Sequence, residues 1–228
     1  MSHLLHFVEH TLQEVALLIM AIVYTGRLIW LMHYKAGKER QADTGNGNTS
    51  PGKGIIYSWF NVAMPWAMES SRRKIFLYFQ FVIFHLGVVA AIGLSFVIPY
   101  GPHLLNSETL VLLLQVVIGL AFLVGLYRII RRVSNSYMRA ISSPDDYFSL
   151  VLLTVWFFFA FWAVPNNTAK GETILLIYFF MTAFFLIYVP FSKISHYLYY
   201  PFTRYYLGKT LGKRGVYPVK HYPREVRG

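Results

Sequence analysis

The chain has no cysteine. That excludes disulfides, cysteine-ligated iron–sulfur clusters and covalent c-type haem attachment. If such a protein moves electrons, it does so with a non-covalent cofactor and passes them to another subunit. Charge is also scarce. Only 14% of the residues are charged, against about 25% in soluble domains. Acidic residues are the scarcer sign, 10 against 21 basic ones, giving a net charge of +11. In a soluble domain that balance would raise nucleic acid as a partner. Here the basic residues flank apolar runs, so the positive-inside rule accounts for them and no nucleic-acid partner is expected. A cleavable signal peptide is not expected either. The first fourteen residues hold three histidines and two glutamates, not a basic region before an apolar core. The glycine-bearing stretch Gln41–Gly54, QADTGNGNTSPGKG, lacks the spacing and the preceding strand of a phosphate loop.

Apolar residues make up most of the rest. The chain is 56% hydrophobic and 18% aromatic, with a mean hydropathy of +0.45. Five apolar spans are readable: about Leu12–Met32, Ile75–Ile98, Thr109–Ile130, Tyr147–Val164 and Thr173–Val189. The fifth is expected to continue as helix past Pro190 to about Tyr200. A span of about 20 residues crosses the roughly 30 Å hydrocarbon core of a bilayer. The fold expected is an all-α, five-helix transmembrane bundle, a multi-pass protein of the cell inner membrane. Nineteen of the 21 Lys and Arg lie in the loop after span one, the loop after span three and the segment after span five. This places the N-terminus outside and the C-terminus in the cytoplasm.

Residues 1–228 read as a single transmembrane domain. Its parts are a small, polar, flexible inner loop at 35–54, an interfacial segment at 55–68 and a basic cytoplasmic tail at 203–228. The interfacial stretch IIYSWFNVAMPWAM is too short to span. It reads as an aromatic anchor at the lipid surface or as a docking surface for a cytoplasmic partner. Ser142-Ser143-Pro144-Asp145-Asp146 reads as a cap for span four, with two aspartates at the helix's positive end. Gly119 and Gly125 in span three read as packing positions.

Span two, IFLYFQFVIFHLGVVAAIGLSFVI, carries His85 well inside it. An ionisable side chain there is costly and marks a candidate functional site. The competing reading is a histidine hydrogen-bonded within the bundle. His3, His6, His10, His103 and His221 read as exposed or interfacial, and His33 as an interfacial side chain at the end of span one. His196 follows PFSKIS after span five. Two imidazoles from different helices can ligate a haem b iron from both faces, which makes His85 and His196 the candidate metal ligands. Gly87, Ala90, Ala91 and Gly93 would leave room for a porphyrin, and Arg27 in span one could neutralise a propionate. Depth is an obstacle. His85 lies 11 residues beyond Lys74, about 16 Å along a helix axis, whereas His196 lies near the inner surface. The pair needs span two to extend before Ile75, or both helices to tilt. His33 is the rival partner for His196.

Three motif groups then carry a resemblance. They are Arg72-Arg73 leading to Phe84-His85-Leu86-Gly87, Arg131-Arg132 leading to Ser142-Ser143-Pro144-Asp145-Asp146-Tyr147, and Pro190-Phe191-Ser192-Lys193 leading to His196, Pro201 and Arg204. In this order, over about residues 72–214, the sequence resembles the gamma subunit of respiratory nitrate reductases. It is also similar to the membrane cytochrome b subunits of sulfite-reductase-linked and heterodisulfide-reductase-type complexes. The resemblance implies a five-helix, N-out cytochrome b that exchanges electrons between the membrane quinone pool and a cytoplasmic iron–sulfur partner subunit. It implies His85 and His196 as ligands of the haem nearer the cytoplasm. The family's second pair of ligands falls on Ser95 and Tyr178, so both outer ligands are missing together and one haem b is expected. This also puts the family's outer quinol site in doubt. A proton acceptor is not identified; Glu14 and Glu69 are candidates near opposite surfaces. The alternative is a haem-free membrane anchor that tethers a peripheral oxidoreductase. A transporter is disfavoured, because no inverted repeat or matched pair of broken helices is visible.

Overall fold

The computed structural model describes residues 2–34, 37, 42, 50–67, 69–169 and 171–219. Lys35, Lys38, Arg40 and Lys170, most of the expected linker, and Lys220, His221, Arg224 and Arg227 lie outside these residues, as does the side chain of Glu69. The described residues contain helices and turns and no strand. In chain order the helices are α1 (His3–Glu9), α2 (Thr11–His33), α3 (Pro51–Phe60), α4 (Glu69–Arg73), α5 (Ile75–Tyr100), α6 (Glu108–Ser134), α7 (Ser136–Ile141), α8 (Pro144–Ala163), α9 (Thr173–Tyr188) and α10 (His196–Lys213). Short 3-10 turns follow α3, α5 and α9.

Five stretches are long and apolar enough to cross a membrane: His3–His33, Ile75–Tyr100, Glu108–Ser134, Pro144–Ala163 and Thr173–Phe191. They coincide with the five spans read from the sequence, and the first begins about nine residues earlier. Large apolar side chains on them point outward; Ile22 is 63% exposed, Val89 67% and Leu112 62%. Water would penalise such a surface and lipid does not. The chain is a helical, multi-pass membrane protein.

The chain divides into two compact units. The first comprises residues 1–30 and 79–195. Its core is built by α1, α5, α6, α8 and α9 and centres on Phe84, Ile118, Trp156, Phe157, Tyr178 and Phe179. In it α6 packs on α8, α8 on α9 and α1 on α9. Small residues set the approaches. A Cβ on Gly87 of α5 would fall 2.1 Å from the Ala121 Cβ of α6, and one on Gly125 of α6 would fall 2.5 Å from Thr154 Oγ1 of α8. Gly125 is therefore a packing residue, as the sequence suggests.

The second unit comprises residues 31–78 and 196–228. Its centre is an antiparallel pair, α3 against α10. The polar stretch expected as a linker to Gly54 instead ends at Ser50. The Ser50 hydroxyl accepts from Lys53 N at 3.3 Å, and Pro51 takes the first turn, so the helix starts there. Residues 203–213, expected as tail, are the continuation of α10. The pair crosses on glycine: a Cβ at Gly54 would meet Gly208 O at 2.3 Å and Gly212 Cα at 2.7 Å.

Two helix boundaries bear on the histidines. α5 begins at Ile75, after a turn at Lys74 that follows α4, so span two does not run back as one continuous helix. Span five does not continue smoothly to Tyr200 either. α9 ends at Tyr188, and 3-10 turns at Val189–Phe191 and Lys193–Ser195 surround Ser192, whose backbone is extended (φ −101°, ψ 171°). Pro190 supplies the cause, since it has no amide hydrogen to donate and crowds the preceding turn.

Candidate functional site

His85 sits one turn past Phe81 on α5. Its Nδ1 lies 2.7 Å from the Phe81 carbonyl oxygen. A carbonyl can only accept, so in this bond Nδ1 carries the proton and Nε2 carries the lone pair. That tautomer, oriented by a backbone carbonyl, is the arrangement in which histidine ligates a metal. The ring is half-buried. It stacks at a tilt on Phe81, with centroids 4.2 Å apart, and meets Phe84 edge-on at 6.3 Å. Phe84 carries the Arg128 guanidinium over its ring at 4.9 Å.

Of the four small residues after His85, two are occupied by the protein. Gly87 receives Ala121, and Ala91 is fully buried. At Gly93, by contrast, an added Cβ would meet nothing within 4 Å. Room for a flat ring beside His85 is therefore not supplied by Gly87 and Ala91, because helix packing uses them.

Arg27, half-buried on α2, lies with its Cζ 5.7 Å from the Phe191 ring centroid, also in the first unit. His196 is the first residue of α10, exposed, and belongs to the second unit. His33 closes α2, stacks edge-on against Tyr34 at 5.9 Å and falls in the second unit as well. Among the described residues, no group of three or more His, Asp or Glu is arranged to hold a metal ion.

The two positions where outer ligands would fall form a packed, hydrogen-bonded plug. Tyr178 is fully buried, and its hydroxyl donates to the Ala91 carbonyl at 2.6 Å. Ser95, one turn beyond Ala91, donates to Ile92 O at 2.7 Å. Trp156 stacks on Tyr178 at an interplanar angle of 12° and donates from Nε1 to Thr182 Oγ1 at 2.9 Å. Thr182 in turn donates to the Tyr178 carbonyl at 2.8 Å. Every polar group named here has a partner, as a dry interior requires. Substituting Tyr178 with Phe should lower stability by about 1 kcal/mol, the net worth of one hydrogen bond. Thermal unfolding of the solubilised protein measures this, and an unchanged midpoint would mean the phenol is not what ties α9 to α5.

Two of the motif groups meet in space, which the sequence did not reveal. Ser143 and Asp146 form the capping box of α8, with Ser143 N donating to Asp146 Oδ2 at 2.8 Å. Lys193 reaches in from beyond α9; its Nζ donates to Asp146 Oδ2 at 3.0 Å and to Ser143 Oγ at 2.7 Å. Arg132 Nη1 donates to Ser142 Oγ at 2.6 Å and stands 4.0 Å from Asp146 Oδ2. Asp145 accepts from the Tyr188 hydroxyl and, at 3.4 Å, from Lys193 N. The aspartates thus hold α6, α8 and the end of α9 together, consistent with their reading as structural residues. The signal that could have found this pairing was the placing of Asp145 and Asp146 against Lys193 at matching ends of spans four and five. Comparisons with protein-family models, curated proteins and solved structures give no match to this chain.

Proposed function

We propose that the chain is a single-haem cytochrome b subunit of a respiratory redox complex, in the inner membrane with its N-terminus outside. It exchanges electrons between the quinone pool and a cytoplasmic iron–sulfur partner. The observation that carries this reading is His85, an imidazole inside a membrane span whose Nδ1 is engaged by its own helix's carbonyl. The same bond also satisfies a histidine that is only hydrogen-bonded within the bundle; what favours a ligand role is that it turns the lone pair of Nε2 away from the helix backbone. An iron porphyrin would supply reversible one-electron transfer at this point. The residues proposed to hold it are His85 and His196 as axial donors, with Arg27 toward a propionate. His85 fits that role by its tautomer. Gly87 does not help to accommodate the ring, since Ala121 fills its side.

The plug around Tyr178 supports a single haem rather than two. Trp156, Phe179 and Tyr178 together occupy the interior where a second ring would lie. With one haem, either a quinone would bind within direct electron reach of it or the electrons would take a modified route. The rival reading, a haem-free anchor for a peripheral oxidoreductase, is favoured by one observation: His196 heads a separate helix beyond the break at Ser192 and is not part of span five. A reduced-minus-oxidised spectrum of the purified chain, with haem extraction, separates the two readings. The expected result is a b-type band and one haem per chain. Absence of both would overturn the cytochrome reading in favour of the anchor, and two haems per chain would refute the account of Ser95 and Tyr178.

A further inference from the structure

The side of the first span that faces the core carries two polar residues. Leu5, Val8, Glu9, Gln13 and Ala16 are buried at helical spacing, and Leu12 is half-buried on the same stripe. Glu9 is 5% exposed and Gln13 6%. An apolar stripe needs neither of them, and a carboxyl inside a membrane span is costly.

Gln13 shows what the pair does. Its Nε2 donates to Val8 O at 3.0 Å and to Phe179 O at 2.8 Å. Both partners are carbonyls, which only accept, so the nitrogen must lie there and the orientation of the carboxamide is fixed. Its other end, Oε1, is buried and has no hydrogen-bond partner among the described residues. Leaving an acceptor dry and unpaired costs on the order of 1–3 kcal/mol. The partner it lacks is a donor. The bond to Val8 O brings the Gln13 side chain back to the turn that carries Glu9. A glutamate can only accept, whereas a glutamic acid has an O–H to donate.

The charges around Glu9 favour the acid. Its carboxyl faces His6, which is exposed, and His10, which is half-buried; their rings lie 4.7 Å apart. α9 packs on α1 and adds Tyr178 and Tyr188, with Glu172 at its N-terminal end. The Tyr178 hydroxyl is committed to Ala91 O and the Tyr188 hydroxyl to Asp145, and Glu172 accepts from Ser2 N at 2.7 Å. Glu14 on α2 accepts from the Tyr100 hydroxyl of α5 at 2.9 Å. The first fourteen residues, α5 and α9 contain no Lys or Arg. Only the two imidazoles could supply a positive charge, and above about pH 6.5 most imidazoles are neutral. A carboxylate at this position would then be buried in a membrane span with no charge opposite it.

We infer that Glu9 is a proton-binding site: it is held as the neutral acid, donates its hydroxyl to Gln13 Oε1, and releases α1 from α9 when the proton leaves. On closing, a proton from water adds to a carboxylate oxygen; on opening it returns to water, and no other covalent bond changes. The closed state thus binds one proton more than the open state. Its population relative to the open state is highest at low pH and falls by up to about tenfold for each unit that the pH rises. The inference does not depend on the haem.

The test uses the full chain in lipid nanodiscs. Infrared spectra read the carbonyl band of a protonated carboxylic acid, and hydrogen exchange, corrected for the intrinsic pH dependence of exchange, reads the amides of residues 3–13. A protonated-acid band is expected above about pH 6.5, shifted in heavy water and missing from Glu9→Gln. Protection of residues 3–13 should fall by up to about tenfold per pH unit in the wild type. In Glu9→Gln it should stay level, because the new amide has a donor for Gln13 Oε1 and no proton to lose. The pH at which the wild-type band fades should match the pH at which its protection falls, a comparison that needs no variant. A missing band would leave a bound water as the partner of Gln13 and overturn the inference. So would a band unchanged in Glu9→Gln, protection in the wild type that does not respond to pH, or protection in Glu9→Gln that falls as it does in the wild type.

Discussion

If the chain holds the proposed haem, replacing His85 with Ala should abolish the b-type absorption of the purified chain, and replacing His196 with Ala should do the same. His33→Ala should leave the band and the haem-to-protein ratio unchanged. A bis-imidazole iron that loses one axial donor would keep only one protein bond, and the rings packed on His85, those of Phe81 and Phe84, carry no donor atom. The expected effect is complete loss, not a graded one. Even disturbance of the group that orients a ligating histidine typically lowers metal affinity about 10–100-fold. The measurement is haem extraction and the redox difference spectrum, with membrane insertion checked by fractionation. Haem retained at full stoichiometry in His85→Ala would remove the foundation of the proposal. Retention in His196→Ala together with loss in His33→Ala would leave His85 in place and transfer the partner's role to His33.

The second large effect is structural. Gly54→Ala should detach α3 from α10 at a cost of about 3 kcal/mol, the upper part of the usual range for overpacking. The new methyl would meet Gly208 O at 2.3 Å, Gly212 Cα at 2.7 Å and Gly212 N at 2.9 Å. All three are backbone atoms, so no side chain can swing aside. Gly208→Ala should act in the same way, its Cβ meeting Gly54 O and Ile55 Cα at 2.6 Å. Gly26→Ala and Gly93→Ala are the controls, since nothing lies within 4 Å of either position; there alanine's better helix propensity leaves stability equal or raised. Hydrogen exchange of the amides of 51–60 reads the result directly. Protection lost in Gly54→Ala and kept in Gly93→Ala is expected. Equal protection in both would show that the glycine crossing does not hold the pair together.

The motif-bearing loops were legible only in part. The cap at Ser143 follows from Ser-Pro-Asp-Asp, because capping is a local bond between residues three apart. The closure of that cap by Lys193 was not legible, because 47 residues separate Lys193 from Asp146 and spacing says nothing about which helix ends meet. The same limit applies to His196. Helix was expected to continue past Pro190 to about Tyr200, but a proline alone does not say whether a helix kinks and resumes or stops; here it stops, and His196 heads a new helix.

Hydropathy and charge in one dimension determined that five segments favour lipid over water, because transfer free energy is a property of each segment alone. The same string placed His85 inside a span and put serine at position 95 and tyrosine at position 178. Only the tertiary structure decided how those places are filled: Tyr178, Trp156 and Thr182 close one part of the core with hydrogen bonds between helices, while Ser58 and Asn61 are buried with none. Pairing of buried polar groups depends on which faces meet, and that information lies in the packing of helices and not along any one of them.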